Sequence, residues 1–400
     1  MNDRISTNMM FNQSVWLMMN KQAKLSHLER QIATGSRLVS AKDDPVASGT
    51  AVSLDRTLAA LDQMKLNAGS LQNRLGLQEN TLAQINDLMG RVSELTIQAS
   101  NPALGEADKK SLVTEIEQIR DGLLSLANST DGTGRYLFGG TQDADPPFSQ
   151  VGGSIVYSGD QTQRQVLIGP DTYAKDALPG SEIFLRIPTG DGSVDGGPAA
   201  TNTGKAVLTN VTRDGTGDWN GQSFSVRFTA SDAYEVVDAN GTVTATGTLK
   251  AGDEIVVNGV RLQIDGEPAV GDRFDVNAAG SRDIFATMDG LIDALNSDVG
   301  TPALLAAQQN KLQSALRDVA RASERMIDSR AAGGAQLKAV DNAADMRESN
   351  AVTLKTTLSG MRDLDYADAL SQYQLEQTAL QAAQTIFTQM QQMSLFQRLG

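Results

Sequence analysis

The sequence predicts an α+β protein in which a long antiparallel helical coiled-coil bundle, drawn from both chain ends, carries an inserted mostly-β domain. Three observations predict it. Apolar residues recur every seven positions towards both ends. The repeat stops between about Thr130 and Ala279, where alternating runs and turn dipeptides replace it. Aromatics make up only 4% of the 400 residues against 40% hydrophobic, so cores must rest on Leu, Ile, Val, Ala and Met, which suits long helices.

In the first helix Phe11, Met18, Leu25 and Ile32 step by seven, with Val15 and Gln22 between them. Gly35 is a natural stop. Asp44-Pro45 then reads as an N-cap followed by proline at the first helical position. The strongest periodicity follows: Leu54, Leu61, Ala68, Leu75, Leu82 and Met89 form one series, and Met64, Leu71, Gln78, Ile85, Val92 and Ala99 its companion. A continuous helix from Val46 to Ser100 would be about 75–80 Å long. Asn101-Pro102 ends it. A third helix carries Leu112, Ile116, Ile119, Leu123 and Leu126.

The middle reads differently. Phe224–Phe228 and Val260–Ile264 alternate, and Asn240-Gly241, Asn258-Gly259 and Asp265-Gly266 punctuate. Ile255–Ile264, broken by Asn258-Gly259, predicts a hairpin with a type I′ turn. The Gly/Asp/Pro-rich span Pro188–Pro198 reads as a loop or linker, and the whole as one all-β domain with a looser first half.

After Ser281 the helical pattern resumes. Leu305, Leu312, Val319 and Met326 step by seven, Gly333-Gly334 interrupts, and Leu337, Val340 and Ala344 resume. Near the end Tyr366, Tyr373, Leu380 and Phe387 form a seam, with Asp365 and Asp368 placed like a capping box. A second stripe, Leu375, Ala379, Ala382, Ile386 and Met393, lies on another face, so this helix is expected to be surrounded. The layout is nested: first helix with last, second with the Leu305–Leu358 segment. Three domains are expected: residues 1–45 with 360–400 for assembly, 46–130 with 281–359 as the long-helix bundle, and 131–280 as the β insertion.

Ordering about 25 residues of the first helix costs on the order of 1–2 kcal/mol each. Its hydrogen bonds and a single apolar seam do not offset that cost against one partner helix. Residues 11–32 are therefore expected to order only when neighbouring copies or other subunits cover further faces. The residues expected at that interface are Phe11, Val15, Met18, Leu25, Ile32, Tyr366, Tyr373, Leu380, Phe387, Met390, Leu395 and Phe396.

Thirty-four basic against 48 acidic residues give a net charge of −14, which disfavours nucleic acid and anionic lipid. No apolar stretch reaches the roughly 18 residues of a membrane span. The first residues lack a positive segment followed by an apolar core, so no cleaved signal peptide is expected. There is no cysteine, which suits a chain exported unfolded. The one histidine, His27, lacks the partners of a zinc site or a triad and reads as a partly exposed helix residue. Asp191–Gly196 imitates half an EF-hand loop, but position twelve is Asn202 and no helices flank it. Gly132-Thr133-Gly134 lacks the strand and third glycine of a phosphate cradle. The methionines Met9, Met10, Met18 and Met19 read as core or interface packing. No catalytic, metal or cofactor residue is expected.

The run Gln31-Ile32-Ala33-Thr34-Gly35-Ser36-Arg37-Leu38-Val39-Ser40-Ala41-Lys42-Asp43-Asp44-Pro45 resembles the N-terminal signature of flagellins and flagellin-like hook-associated proteins. Asp363-Leu364-Asp365-Tyr366-Ala367, followed by a Gln/Ala-rich helix, resembles the C-terminal one. Several features resemble the hook-associated members more than the flagellins. They are the start Arg4–Met10, Pro45 after the Asp pair, Arg135–Gly140 with Pro147-Phe148, Asp265–Phe274, and the closing Ser394-Leu395-Phe396.

The resemblance implies a structural subunit, not an enzyme, at the junction of hook and filament. It also implies flagellin and the first hook-associated protein as partners, copies of the chain in a ring, a cytosolic export chaperone, and type III export to the flagellum without a cleaved peptide. Two rival readings are a flagellin of the filament itself and a glycan-binding or hydrolytic β domain displayed on a shaft.

Overall fold

A computed structural model describes residues 7–250 and 252–399, with side chains from residue 9 to residue 391. Among the described residues are six α-helices: α1 (Thr7–Thr34), α2 (Pro45–Ala99), α3 (Glu106–Ala127), α4 (Ile284–Leu295), α5 (Pro302–Arg362) and α6 (Tyr366–Leu399). Their ends follow from local chemistry. Gly35, at φ +66°, adopts the left-handed conformation that terminates α1. The Asp44 carboxylate accepts the Ala47 N–H at 2.9 Å, capping α2 with Pro45 at its first position. Asp365 caps α6, accepting from Ala367 and Asp368 at 2.9 and 3.2 Å. The reciprocal arm of a capping box is replaced: the Asp368 carboxylate accepts from the Gln372 side chain.

Gly333 and Gly334 interrupt the seven-residue series, as read from the sequence, but not the helix: α5 runs unbroken from Pro302 to Arg362. Two glycines in a helix interior cost about 1 kcal/mol each, a small sum beside the burial of Met326 and Val340 on either side.

The chain divides into two compact units, Met1–Leu66 with Ala343–Gly400, and Asn67–Asn342. In the second unit the two heptad series of α2 are inside: Leu75, Leu82, Met89, Leu71, Ile85 and Val92 are all buried. They share a core with Ile116 and Leu123 of α3, Met288 and Leu291 of α4, and Leu312, Val319 and Met326 of α5.

The strands, in chain order, are β1 (Phe148–Val151), β2 (Ser154–Tyr157), β3 (Gln165–Gly169), β4 (Thr172–Lys175), β5 (Ile187–Pro188), β6 (Val194–Pro198), β7 (Val207–Arg213), β8 (Phe224–Phe228), β9 (Ala233–Asp238), β10 (Val243–Thr248), β11 (Glu254–Val257), β12 (Val260–Asp265), β13 (Arg273–Ala278) and β14 (Ser281–Arg282). A five-stranded antiparallel sheet runs β10-β9-β8-β13-β6, and a three-stranded one β11-β12-β7. Their apolar faces share one core built on Val211, Val226, Phe228, Leu262, Phe274 and Val276. The β11–β12 turn is of the expected kind: Asn258 and Gly259 stand at φ +50° and +84°, as a type I′ turn requires.

Pro188–Pro198 is not a linker. Val194–Pro198 is an edge strand paired with Phe274–Ala278, and a Cβ on Gly196 would sit 3.2 Å from both Leu208 and the Asp275 carbonyl. Glycine there reflects close packing across the sheets. Nor does the first half of the β region have its own core. Phe148, Ile183, Phe184 and Ile187 join the helical core, where Phe184 lies 5.3 Å from Phe138 and 5.2 Å from Phe148, edge to face in both cases.

Buried ions tie this unit together. Arg74 of α2 donates to Asp131 at 2.8 Å and Asp176 at 3.1 Å. The Asp191 carboxylate of the EF-hand-like run accepts the backbone N–H groups of Ser193, Val194 and Arg213, a turn-stabilising role.

Candidate assembly surface

The first unit is built differently. Its buried apolar side chains, among the described residues, are Leu25, Ala51, Leu61, Ala343 and Ala369. Three of the five are alanines, so this unit has little interior of its own.

Its architecture is set where the two chain ends meet. The Gly35 carbonyl accepts the Leu364 N–H at 3.0 Å, Arg37 N–H donates to the Arg362 carbonyl at 2.8 Å, and Ser36 bridges Asp363. The Arg37 guanidinium also donates to the Met361 carbonyl at 3.0 Å. Both the Met361 and Arg362 carbonyls lie at the end of α5, where helical partners run out. The segments Gln31–Pro45 and Asp363–Ala367 are thus one joint. Gly35 is required there twice over: its φ is positive, and a Cβ would lie 2.8 Å from the Tyr366 hydroxyl. Gly35→Ala should weaken the joint by about 1–2 kcal/mol, seen as several-fold faster amide exchange at Arg37 and Leu364; unchanged exchange would refute it.

From this joint α1 and α6 run side by side. The Phe11 and Phe387 rings lie 5.2 Å apart, Lys21 pairs with Glu376 at 2.6 Å, and Tyr373 donates to Glu29 at 3.0 Å. The Glu29 carboxylate holds the Tyr373 proton and raises its pKa, while hydrogen bonding and charge from Lys21 lower that of Glu376. Of the expected interface residues, Leu25 is buried, and Val15, Met18, Ile32, Tyr373, Leu380, Phe387 and Met390 are half-buried between the helices. Phe11 and Tyr366 remain exposed despite their contacts. The side chains of Leu395 and Phe396 lie outside the described residues.

The other faces are the more informative. Trp16, two residues from Met18 and therefore about 160° around the helix, is 66% exposed. Met9 and Met19 flank it on the same face and are also exposed. On α6 the described part of the second stripe is also uncovered, with Leu375 70% exposed at the edge of the groove between the helices and Ile386 exposed, and the Met393 side chain lies outside the described residues. Between the helices runs a groove of about 830 Å³ lined by Leu17, Lys21, Lys24, His27, Leu375 and Glu376. His27 is half-buried there, its Nε2 3.7 Å from Asp43. The heptad reading missed Trp16 because on α1 it tracked the seam alone; the signal was a large aromatic directly off that seam.

The N-terminal part matches the profile of the bacterial flagellin N-terminal helical region over residues 5–143. The chain is similar to flagellar hook-associated protein 3 of Escherichia coli, 28% identical over 98% of this chain and 99% of that protein. The crystal structure of Xanthomonas campestris FlgL matches with a TM-score of 0.72 and 55% identity, over 76% of this chain and 99% of that one. That of the flagellar junction protein FlgL from Legionella pneumophila matches with a TM-score of 0.69 and 25% identity, over 78% and 100%. A Salmonella flagellin is 31% identical over only 113 residues, 28% of this chain and 22% of the flagellin.

Proposed function

This chain belongs to the flagellar hook-associated protein 3 (FlgL) family, structural components of the hook–filament junction, and from that premise we propose that its paired terminal helices make the joint. The observation that carries the reading is the doubled apolar character of α1 and α6. Each has a seam turned to the other and further apolar side chains left uncovered, with Trp16 and Leu375 about two-thirds exposed. Exposed aromatic and aliphatic anchors on helix faces are what a protein–protein contact uses, and the thin interior of this unit supports their being covered on assembly.

The role is mechanical, with no turnover. Copies form a ring that meets the first hook-associated protein on one side and flagellin on the other. The chain leaves the cell through the flagellar type III route without a cleaved peptide, after a cytosolic chaperone has held its C-terminal helix. The flagellin reading loses support because similarity to a flagellin spans so little of either chain.

A strain lacking this chain decides between junction and filament roles. Hooks should form normally, filaments should be absent, and unpolymerised flagellin should collect in the medium. Normal filaments on the hooks of such a strain would overturn the reading.

A further inference from the structure

With no cysteine in the chain, the oxidisable sulfurs are thioethers, and their placement is uneven. Met89, Met288 and Met326 of the second unit are at 0% exposure, whereas Met9, Met10 and Met19 on α1 are 64%, 42% and 66% exposed. Met9 and Met19 share the outward face with Trp16, and Met10 lies two turns from Leu17, which lines the groove. We propose that these three thioethers are a peroxide-sensitive modification site whose oxidation blocks assembly; this rests on the reading of the terminal helices given above.

The chemistry needs one oxidant, a hydroperoxide. The thioether sulfur attacks the distal oxygen, the O–O bond breaks, sulfur gains an S=O bond and loses two electrons, and the remaining oxygen leaves as water or alcohol. A flexible apolar side chain becomes polar and chiral. In the free chain the new oxygen is solvated and costs little. Once a partner covers the face, it must be desolvated without a guaranteed donor. The buried methionines react only through opening of the second unit, so the core is spared while the assembly face is altered. Assembly itself then shields the three sulfurs, making the unassembled chain the vulnerable form.

The test uses full-length protein treated with hydrogen peroxide, mapped by peptide mass spectrometry, and assayed for joining flagellin to isolated hooks that lack this chain. Met9, Met10 and Met19 should oxidise more than about a hundredfold faster than Met89, Met288 and Met326, because access to the latter requires opening a stable core. Joining should fall at least about tenfold and recover when methionine sulfoxide reductases for both epimers are added. In a chain carrying Met9→Leu, Met10→Leu and Met19→Leu, the ratio of treated to untreated joining should stay near one, whatever the untreated level.

Three results would overturn the inference. One is full joining by protein oxidised at all three positions. Another is an equal loss in the triple-leucine chain, which would assign the effect to another residue such as the exposed Met346 of α5. The third is failure of untreated protein to join at all, which removes the assembly reading and this inference with it.

Discussion

A chain carrying Trp16→Asp and Leu375→Asp should be exported and folded, yet leave hooks bare and spill flagellin into the medium. Both side chains are about two-thirds exposed in the free chain, so the substitutions should change its unfolding free energy by no more than about 0.5 kcal/mol each. At a covered interface the situation reverses. Removing a large apolar anchor costs about 2–4 kcal/mol, and a carboxylate left there without a partner adds a desolvation penalty. A loss of several hundredfold or more in affinity is expected, enough to empty the junction. Thermal unfolding by circular dichroism, the amount of variant in the medium, and filament counts by electron microscopy separate the effects. Normal filament counts from the double variant would exclude these faces from the contact.

Arg74→Leu should produce the largest loss of stability. The Arg74, Asp131 and Asp176 side chains are 9%, 8% and 5% exposed, and removal of the guanidinium leaves two carboxylates buried without their cation. Breaking a buried ion network in this way costs about 3–5 kcal/mol, or on the order of 10 °C in melting temperature for a unit of this size. The same network imposes an acid limit. Burial alone would raise the pKa of Asp131, but the Thr133 hydroxyl, the Thr133 and Arg135 backbone N–H groups and Arg74 overcome it and lower the pKa to about 2. A folded-state pKa below the unfolded value means that the contribution is present above about pH 4 and is lost as the pH falls towards 2. Asp131→Asn should remove that part of the pH dependence, measured as melting temperature between pH 5 and 2; an unaltered acid profile would contradict the assignment.

Much of the helical architecture was legible because a seven-residue period is a long-range signal. Leu61, Ala68, Leu75, Leu82 and Met89 were placed inside by spacing alone, and they are. The hairpin at Asn258-Gly259 was equally legible, since two successive residues at positive φ restrict the sequence severely. Other features depend on tertiary proximity. Val194–Pro198 looked like a loop because Gly196 is demanded by close packing of neighbouring strands rather than by a turn. Phe148 and Phe184 join the helical core across more than a hundred residues from Phe285, to which no period connects them.

At the candidate surface the seams were readable, and so were Met9 and Met19 as packing residues, whereas Trp16 was not. Trp16 acquires meaning only when the α1–α6 pairing has turned it outward. The Gly35–Tyr366 approach is similar: the sequence marks Gly35 as a stop, and only the fold brings the tyrosine hydroxyl to the place a Cβ would occupy.

Amide exchange along α1, measured in the free chain and again in the assembled junction, bears most directly on whether the terminal helices find their remaining contacts in neighbours. Residues 11–32 should exchange far faster than residues 82–99 in the free chain and approach their protection once assembled. Protection of residues 11–32 in the free chain equal to that of residues 82–99, or no gain on assembly, would contradict it.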